Sequence, residues 1–378
     1  MIRELVGLVR DIYQTGEFVP LHRPVFAGTE REDLVACIDS NFVSSVGEKV
    51  TEMERRVAEF SGARFGVAVV NGTNGLQVAL RLVGVERDCE VVTQALSFVA
   101  TANSIAYLGA HPVFVDVDRE TLGMSPDALR AFLDEFGERR EDGCFNRSTG
   151  RRIGAVQPMH TFGHPVRIDE IAAICADWGI PLIEDAAESL GSYFQGRHTG
   201  TFGRLGVFSF NGNKIITTGG GGMIVTDDED LARQAKHLTT TAKQPHAYEY
   251  VHDELGYNFR MPNLNATLGC AQMEQLPGFL QVKREIAGRY AEFCLAHGVE
   301  FVCEPDGARS NYWLNAIVLN DLADRNAFLK ATNDQGIMTR PIWRLLSELP
   351  MYAGCWNDGL GVSRWLEERV VNLPSSVV

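Results

Sequence analysis

Gly206-Val207-Phe208-Ser209-Phe210-Asn211-Gly212-Asn213-Lys214-Ile215-Ile216-Thr217-Thr218-Gly219-Gly220-Gly221-Gly222-Met223-Ile224-Val225-Thr226 sets one lysine between two short apolar runs. The first run reads as a strand that enters a turn carrying Lys214. Four glycines follow, then a second apolar strand. Such a turn holds the lysine close to backbone in a mostly uncharged setting. Desolvation there favours the neutral, nucleophilic amine, and a neutral amine condenses with an aldehyde to a Schiff base. A plain glycine-rich hairpin with a solvated lysine explains this stretch equally well by itself. A P-loop explains it poorly, because Ile215 follows the lysine and the glycines come after it.

The flanking sequence supplies the context. Apolar runs at Phe65 to Val70, Glu90 to Thr93, Pro112 to Val117, Ile153 to Gln157 and Ile180 to Ile183 alternate with helical patterns. The helical patterns lie at Leu76 to Val83, Val99 to Leu108, Pro126 to Phe136 and Ile168 to Trp178. Strands alternating with helices predict an α/β fold with a mostly parallel sheet covered on both faces. Sites in such sheets lie beyond the carboxyl ends of the strands. Thr29 to Asp39 reads as a helix with a threonine N-cap, and Glu138 to Arg152 as an irregular polar insertion. Beyond Asn263 a long helix over Ala266 to Ala296 and a short strand–helix–strand pattern predict a smaller domain. The expected division is an N-terminal helix and connector over 1–24, a large domain over 25–262 and a small domain over 263–378.

Composition narrows the function. The chain has 378 residues, 45% hydrophobic and 22% charged, with a net charge of −14. That charge argues against broad binding to nucleic acid or an anionic membrane. Eight cysteines include no C-x-x-C pair, which fits reduced thiols in the cytoplasm better than zinc or a disulfide framework. Met1 to Tyr13 is an amphipathic helix rather than a signal peptide. His160 and His164 have no acidic or cysteine partner at ligand spacing, so no metal site is expected.

Four features recur at one sheet edge. Asn71 to Gly75 forms a turn between strand and helix where amides and helix dipole favour phosphate. Phe98 follows the next strand and offers a ring for stacking. Asp185 ends an apolar strand, where a carboxylate pairs with a protonated pyridine nitrogen. Lys214 completes the set. Each alone has an ordinary structural explanation: a capped turn, a core ring, a helix cap, a solvated lysine. In this order they are the parts that pyridoxal 5′-phosphate needs.

Glu184 to Ser189, Phe208 to Lys214 and Gly256 to Met261 resemble the DegT/DnrJ/EryC1/StrS family of nucleotide-sugar aminotransferases. Asn41 to Gly47, Asn311 to Ile317, Thr339 to Trp343 and Asn372 to Ser376 resemble its bacillosamine and legionaminic acid branch. The resemblance implies fold type I, the aspartate-aminotransferase-like fold with a seven-stranded sheet, and a cytoplasmic homodimer. It implies amination of the C4 ketone of a UDP-4-keto-6-deoxy-N-acetylhexosamine, with glutamate as donor. Lys214 would then carry the cofactor and act as general base, and Asp185 would hold the pyridinium. Phe98 would stack on the ring. Thr73, the Asn74 backbone and Ser209 would bind the phosphate, and Glu188 would lie near the ring hydroxyl. Asn258 would reach the partner subunit's cofactor. Nucleotide-sugar contacts would fall at Ser44, Val46, Gly47, His160 and Arg340. Ser97 and Asn74 depart from the family's common threonine and alanine. A sugar dehydratase on this scaffold has histidine in place of the lysine, so Lys214 argues against it. A C3- or GDP-sugar aminotransferase and a non-catalytic sugar-binding homologue are the alternatives.

Overall fold

The computed structural model describes residues Met1–Val378. Seven strands make the main sheet: β1 (Phe65–Val69), β2 (Glu90–Gln94), β3 (His111–Val115), β4 (Ile153–Gln157), β5 (Ile183–Asp185), β6 (Leu205–Ser209) and β7 (Gly222–Thr226). β7 lies between β1 and β6 and is antiparallel to both, while β6 runs parallel to β5. Bridges Val156–Leu182 and Met159–Asp185 carry the parallel register from β5 to β4, and β4, β2 and β3 continue it. The order is therefore β1-β7-β6-β5-β4-β2-β3, with β7 alone reversed. Strands β2, β4, β6 and β7 are buried along their whole length. Burial on both faces is why they read as continuous apolar runs rather than alternating ones.

The helices are α1 (Ile2–Tyr13), α2 (Glu30–Asp39), α3 (Glu48–Ser61), α4 (Gly72–Leu82), α5 (Val99–Ala106), α6 (Pro126–Phe136), α7 (Ile168–Trp178), α8 (Glu229–Thr239), α9 (Asn263–His297), α10 (Leu322–Asn333) and α11 (Gly361–Glu367). Helix α6 starts where Ser125 caps Ala128 N and proline fills the first position. Helix α7 stops at Gly179, whose φ of 65° suits the left-handed cap.

Two local expectations change. Thr29 occupies the N-cap of α2 but makes no cap bond: its backbone, at φ −89° and ψ 10°, is not extended, and its hydroxyl donates to the Asp33 carboxylate at 2.8 Å. The 138–152 segment is not irregular: Gly137–Arg140 and Gly143–Asn146 pair as an antiparallel hairpin. Cys144 and Asn146 face inward, and the Asn146 amide donates to the buried Glu90 carboxylate at 2.8 Å. The hairpin's other face is solvated, so its composition alone reads as loop.

The 35-residue α9 joins two bodies of packing. Its first half lies on α2 and α3. Its second half packs with α1 and a four-stranded antiparallel sheet of β8 (Glu300–Phe301), β9 (Asn315–Val318), β10 (Arg340–Pro341) and β11 (Val370–Leu373), in the order β8-β9-β11-β10. Leu5, Val9 and Ile12 of α1 meet Ile286, Tyr290, Ile317 and Phe328. Each such buried aliphatic side chain contributes roughly 1.5–3 kcal/mol. No helix is long and apolar enough to cross a membrane.

Candidate active site

The carboxyl ends of β1, β2, β5 and β6 lie at one sheet edge, and β7 starts there. Register puts Val69 opposite Gly222, and Gly222 opposite Ser209. A Cβ on Gly222 would meet Asn71 C and Gly72 N at 2.8 Å and Phe208 O at 2.9 Å, so only glycine lets the turn before α4 come this close. A Cβ on Gly72 would likewise lie 3.0 Å from Ser209 Cβ. The start of α4 and Ser209 therefore form one wall. Asn71 caps α4 by accepting the Asn74 amide at 2.8 Å. The amides of Gly72 and Thr73 precede the helix's own bonding pattern and remain available to an anion.

Asp185 is buried at the end of β5. Thr101 Oγ1 donates to its Oδ2 at 2.7 Å and Ala187 N to its Oδ1 at 3.2 Å. Burial raises its pKa, against those hydrogen bonds and the charge of Lys214. Each oxygen keeps a lone pair, and a protonated ring nitrogen would restore the ionised form. Phe98 stands just before α5 and is 49% exposed, so its ring is free to take a stacking partner.

Lys214 has a side chain only 11% exposed. Its Nζ donates to Glu188 Oε1 at 3.1 Å and lies 4.1 Å from the centre of the Trp313 ring. Trp313 Nε1 donates to Asn213 O at 2.7 Å, which fixes the turn itself. Glu188 is buried, and Phe162 N donates to its Oε2 at 2.9 Å. Burial pushes the Glu188 carboxyl up to about 7 in spite of Lys214. The amine, two carboxyls and the phosphate-binding turn fit pyridoxal phosphate by donor set.

The remaining expected residues are less uniformly placed. His160 corrects an expectation: it is completely buried, donates from Nε2 to Glu184 at 3.0 Å and accepts Val166 N at Nδ1, so no ligand reaches it. Glu184 in turn accepts the amides of Gly200 and Gly203, so His160 braces that loop. His164 is buried with both ring nitrogens unpaired, and burial pushes its pKa down to about 4. Arg340 is exposed and turns to Asn333 Oδ1 and Thr339 O. Asn258 is exposed and bonds to none of the site residues of its own chain. Ser44 O accepts Asn263 N at 2.8 Å. Val46 and Gly47, with Phe42, Cys37 and Thr267, line a cleft of about 860 Å³ that does not include Lys214.

Sequence reading missed Thr101 and gave Trp313 no role. Thr101 sits one turn into a helix with nothing local to mark it. Trp343 packs on Phe162 at 5.0 Å and thus backs Glu188.

This sheet order, with a lysine, a buried aspartate and a phosphate-binding helix start at one edge, defines a pyridoxal phosphate-dependent transferase of fold type I. Residues 25–377 match the DegT/DnrJ/EryC1/StrS aminotransferase family. The chain belongs to that family and is a pyridoxal phosphate-dependent sugar aminotransferase. It is 38% identical over 334 residues to EpsN of Bacillus subtilis (strain 168), named as a pyridoxal phosphate-dependent aminotransferase; the match covers 88% of this chain and 83% of EpsN. It is 34% identical to the GDP-perosamine synthase of Escherichia coli O157:H7, covering 95% of this chain and 93% of that enzyme. Among solved structures, the aminotransferase TlmJ from Streptoalloteichus hindustanus superposes with a TM-score of 0.85 at 29% identity, covering 95% and 93% of the two chains.

Proposed function

We propose that this aminotransferase moves an amino group from glutamate to the C4 ketone of a UDP-4-keto-6-deoxy-N-acetylhexosamine, giving a 4-amino sugar for surface glycan or nonulosonic acid synthesis in the cytoplasm. The observation that carries the chemistry is Lys214 Nζ held between the Glu188 carboxylate and the Trp313 ring. The substrate reading rests on Asn41 to Gly47, Asn311 to Ile317, Thr339 to Trp343 and Asn372 to Ser376. A GDP-keto sugar is the second reading, favoured by the GDP-perosamine synthase relative.

Pyridoxal phosphate, when bound, supplies an aldehyde carbon for the amine and a sink for electrons. The chain supplies position and protons. Asp185, fixed by Thr101 and Ala187 N, holds a proton at the ring nitrogen. Thr73, the first amides of α4 and Ser209 hold the phosphate, and Phe98 covers the ring. Lys214 Nζ, once free, moves a proton as general base. Glu188 takes and returns the proton that switches this amine between its charged and neutral forms. Arg340 and residues Ser44, Val46 and Gly47 bind the sugar nucleotide, and Asn258 serves the partner subunit's site. Phe42 and Val46 line the cleft and are exposed, which suits contact with a second copy of the chain.

The test is an absorption spectrum of purified protein before and after glutamate, followed by turnover of UDP- and GDP-keto sugars. The expected result is a visible band that glutamate bleaches, with turnover of the UDP-N-acetyl sugar. Faster turnover of a GDP sugar would replace the substrate assignment, and a band that glutamate leaves unchanged would remove glutamate as donor.

A further inference from the structure

Lys283 is the buried ionisable group that the chemistry above leaves unused. It lies in the second half of α9 and is 1% exposed. No carboxylate neutralises it: Nζ contacts His22 Nε2 at 3.0 Å, donates to Trp313 O at 3.2 Å and donates to Ser375 O. An ammonium has three donors, and three acceptors meet it. Those acceptors come from the N-terminal connector, the segment before β9 and the chain's last residues. Burial nevertheless pushes the amine down to about 7. Burying an amine without a counter-charge is costly, so packing alone gives no reason for lysine here.

The contact with Trp313 gives one. The residue whose carbonyl Lys283 holds also places its indole 4.1 Å from Lys214 Nζ and donates from Nε1 to Asn213 O. We propose that Lys283 is a positioning residue for the reaction, which clamps Trp313 by its carbonyl and so sets the position of Lys214. The chain of contact is Lys283 Nζ, Trp313 O, the indole, then Lys214 and its turn. His22 and Ser375 close the clamp from the two ends of the chain. This rests on Lys214 being the cofactor-linked lysine. The charged groups facing this region are Lys214, Asp185 at the end of β5 and Glu188 in the turn after it; burial and the charges of Lys283 and Lys214 keep His22 in the connector neutral.

The test is a double-mutant cycle of Lys283→Met and Trp313→Phe in the holoenzyme, reading kcat, KM, Tm and the pH midpoint of the lysine-linked cofactor's absorption band. Lys283→Met leaves three acceptors unpaired and should lower Tm, lower kcat about tenfold with KM nearly unchanged, and move the band's midpoint. In the Trp313→Phe background the same change should have little further effect, because both act through one contact. A wild-type kcat and midpoint in Lys283→Met would overturn the proposal. Additive effects in the cycle would also overturn it, since a charge acting directly on Lys214 needs no Trp313. If Lys283→Met does not fold, Lys283→Gln, one atom shorter and uncharged, carries the test, and an unmoved midpoint there has the same force. Absence of any band in the wild-type enzyme would instead remove Lys214 as the cofactor-linked lysine.

Discussion

At the residue scale, the site depends on a few buried charges with few partners. Asp185 works only if it stays ionised, and Thr101 and Ala187 N are its two donors in the chain. Asp185→Asn keeps the shape and loses the charge. It should bind cofactor yet lower kcat at least about 100-fold, and stopped-flow half-reactions with glutamate will measure this. Glu188 gives a pH prediction. Its folded carboxyl titrates near 7, above the usual 4.5. The folded state therefore binds more protons than the unfolded one between those values, and this group's contribution to stability falls as pH rises through them. Glu188→Gln in the cofactor-free protein should gain stability relative to wild type from pH 5 to pH 8. Urea midpoints that differ by the same amount at both pH values would contradict the assignment.

At the scale of elements, the approach of β7 to the start of α4 is a backbone contact. Gly222→Ala places a methyl against Asn71 and Gly72. The expected result is a lower Tm and cofactor affinity weakened by about tenfold, on the order of the strain cost of overpacking. Equilibrium dialysis with pyridoxal phosphate will read it. The same element explains what a reader of sequence can and cannot see. The apolar runs, the glycine run after Lys214 and the Asn71 turn are local signals, and the large sheet follows from them. Asp185 ends β5 and Lys214 lies in the turn after β6, so their approach follows from sheet topology. Thr101 and Trp313 reach the site through packing between segments far apart in the chain; nothing near Thr101 marks it, and the Asn311 to Ile317 stretch marks a resemblance but not the contact of Trp313 with Lys214. Lys283 sits in the second half of a long helix where lysine ordinarily reads as solvated face. His160 was misplaced for the same reason: its partner Glu184 lies across a strand, not along the chain.

For the whole molecule, Asn258 is exposed and bonds to none of its own chain's site residues, and Phe42 and Val46 are exposed apolar side chains. Val46 alone is 72% exposed. A dimer with shared sites predicts complementation. Lys214→Ala and Asn258→Ala subunits should each be impaired as pure dimers. After mixing and subunit exchange, hybrid dimers should regain activity, because one of the two sites then receives both native side chains. No recovery, with exchange confirmed by native mass spectrometry, would place Lys214 and Asn258 in the same subunit's site.

The order β8-β9-β11-β10 has a consequence for how the protein is made. β11 is the last strand of the chain, yet it lies between β9 and β10. During synthesis, β9 and β10 leave the ribosome before the strand that must separate them. The large sheet is complete by Thr226 and can form on the nascent chain. The small sheet must wait for β11, and until then β9 and β10 expose unpaired edges. A truncation that removes residues 370–378, and β11 with them, would thus leave a chain with a finished large sheet and a small one that never closes, a natural substrate for chaperones and proteases.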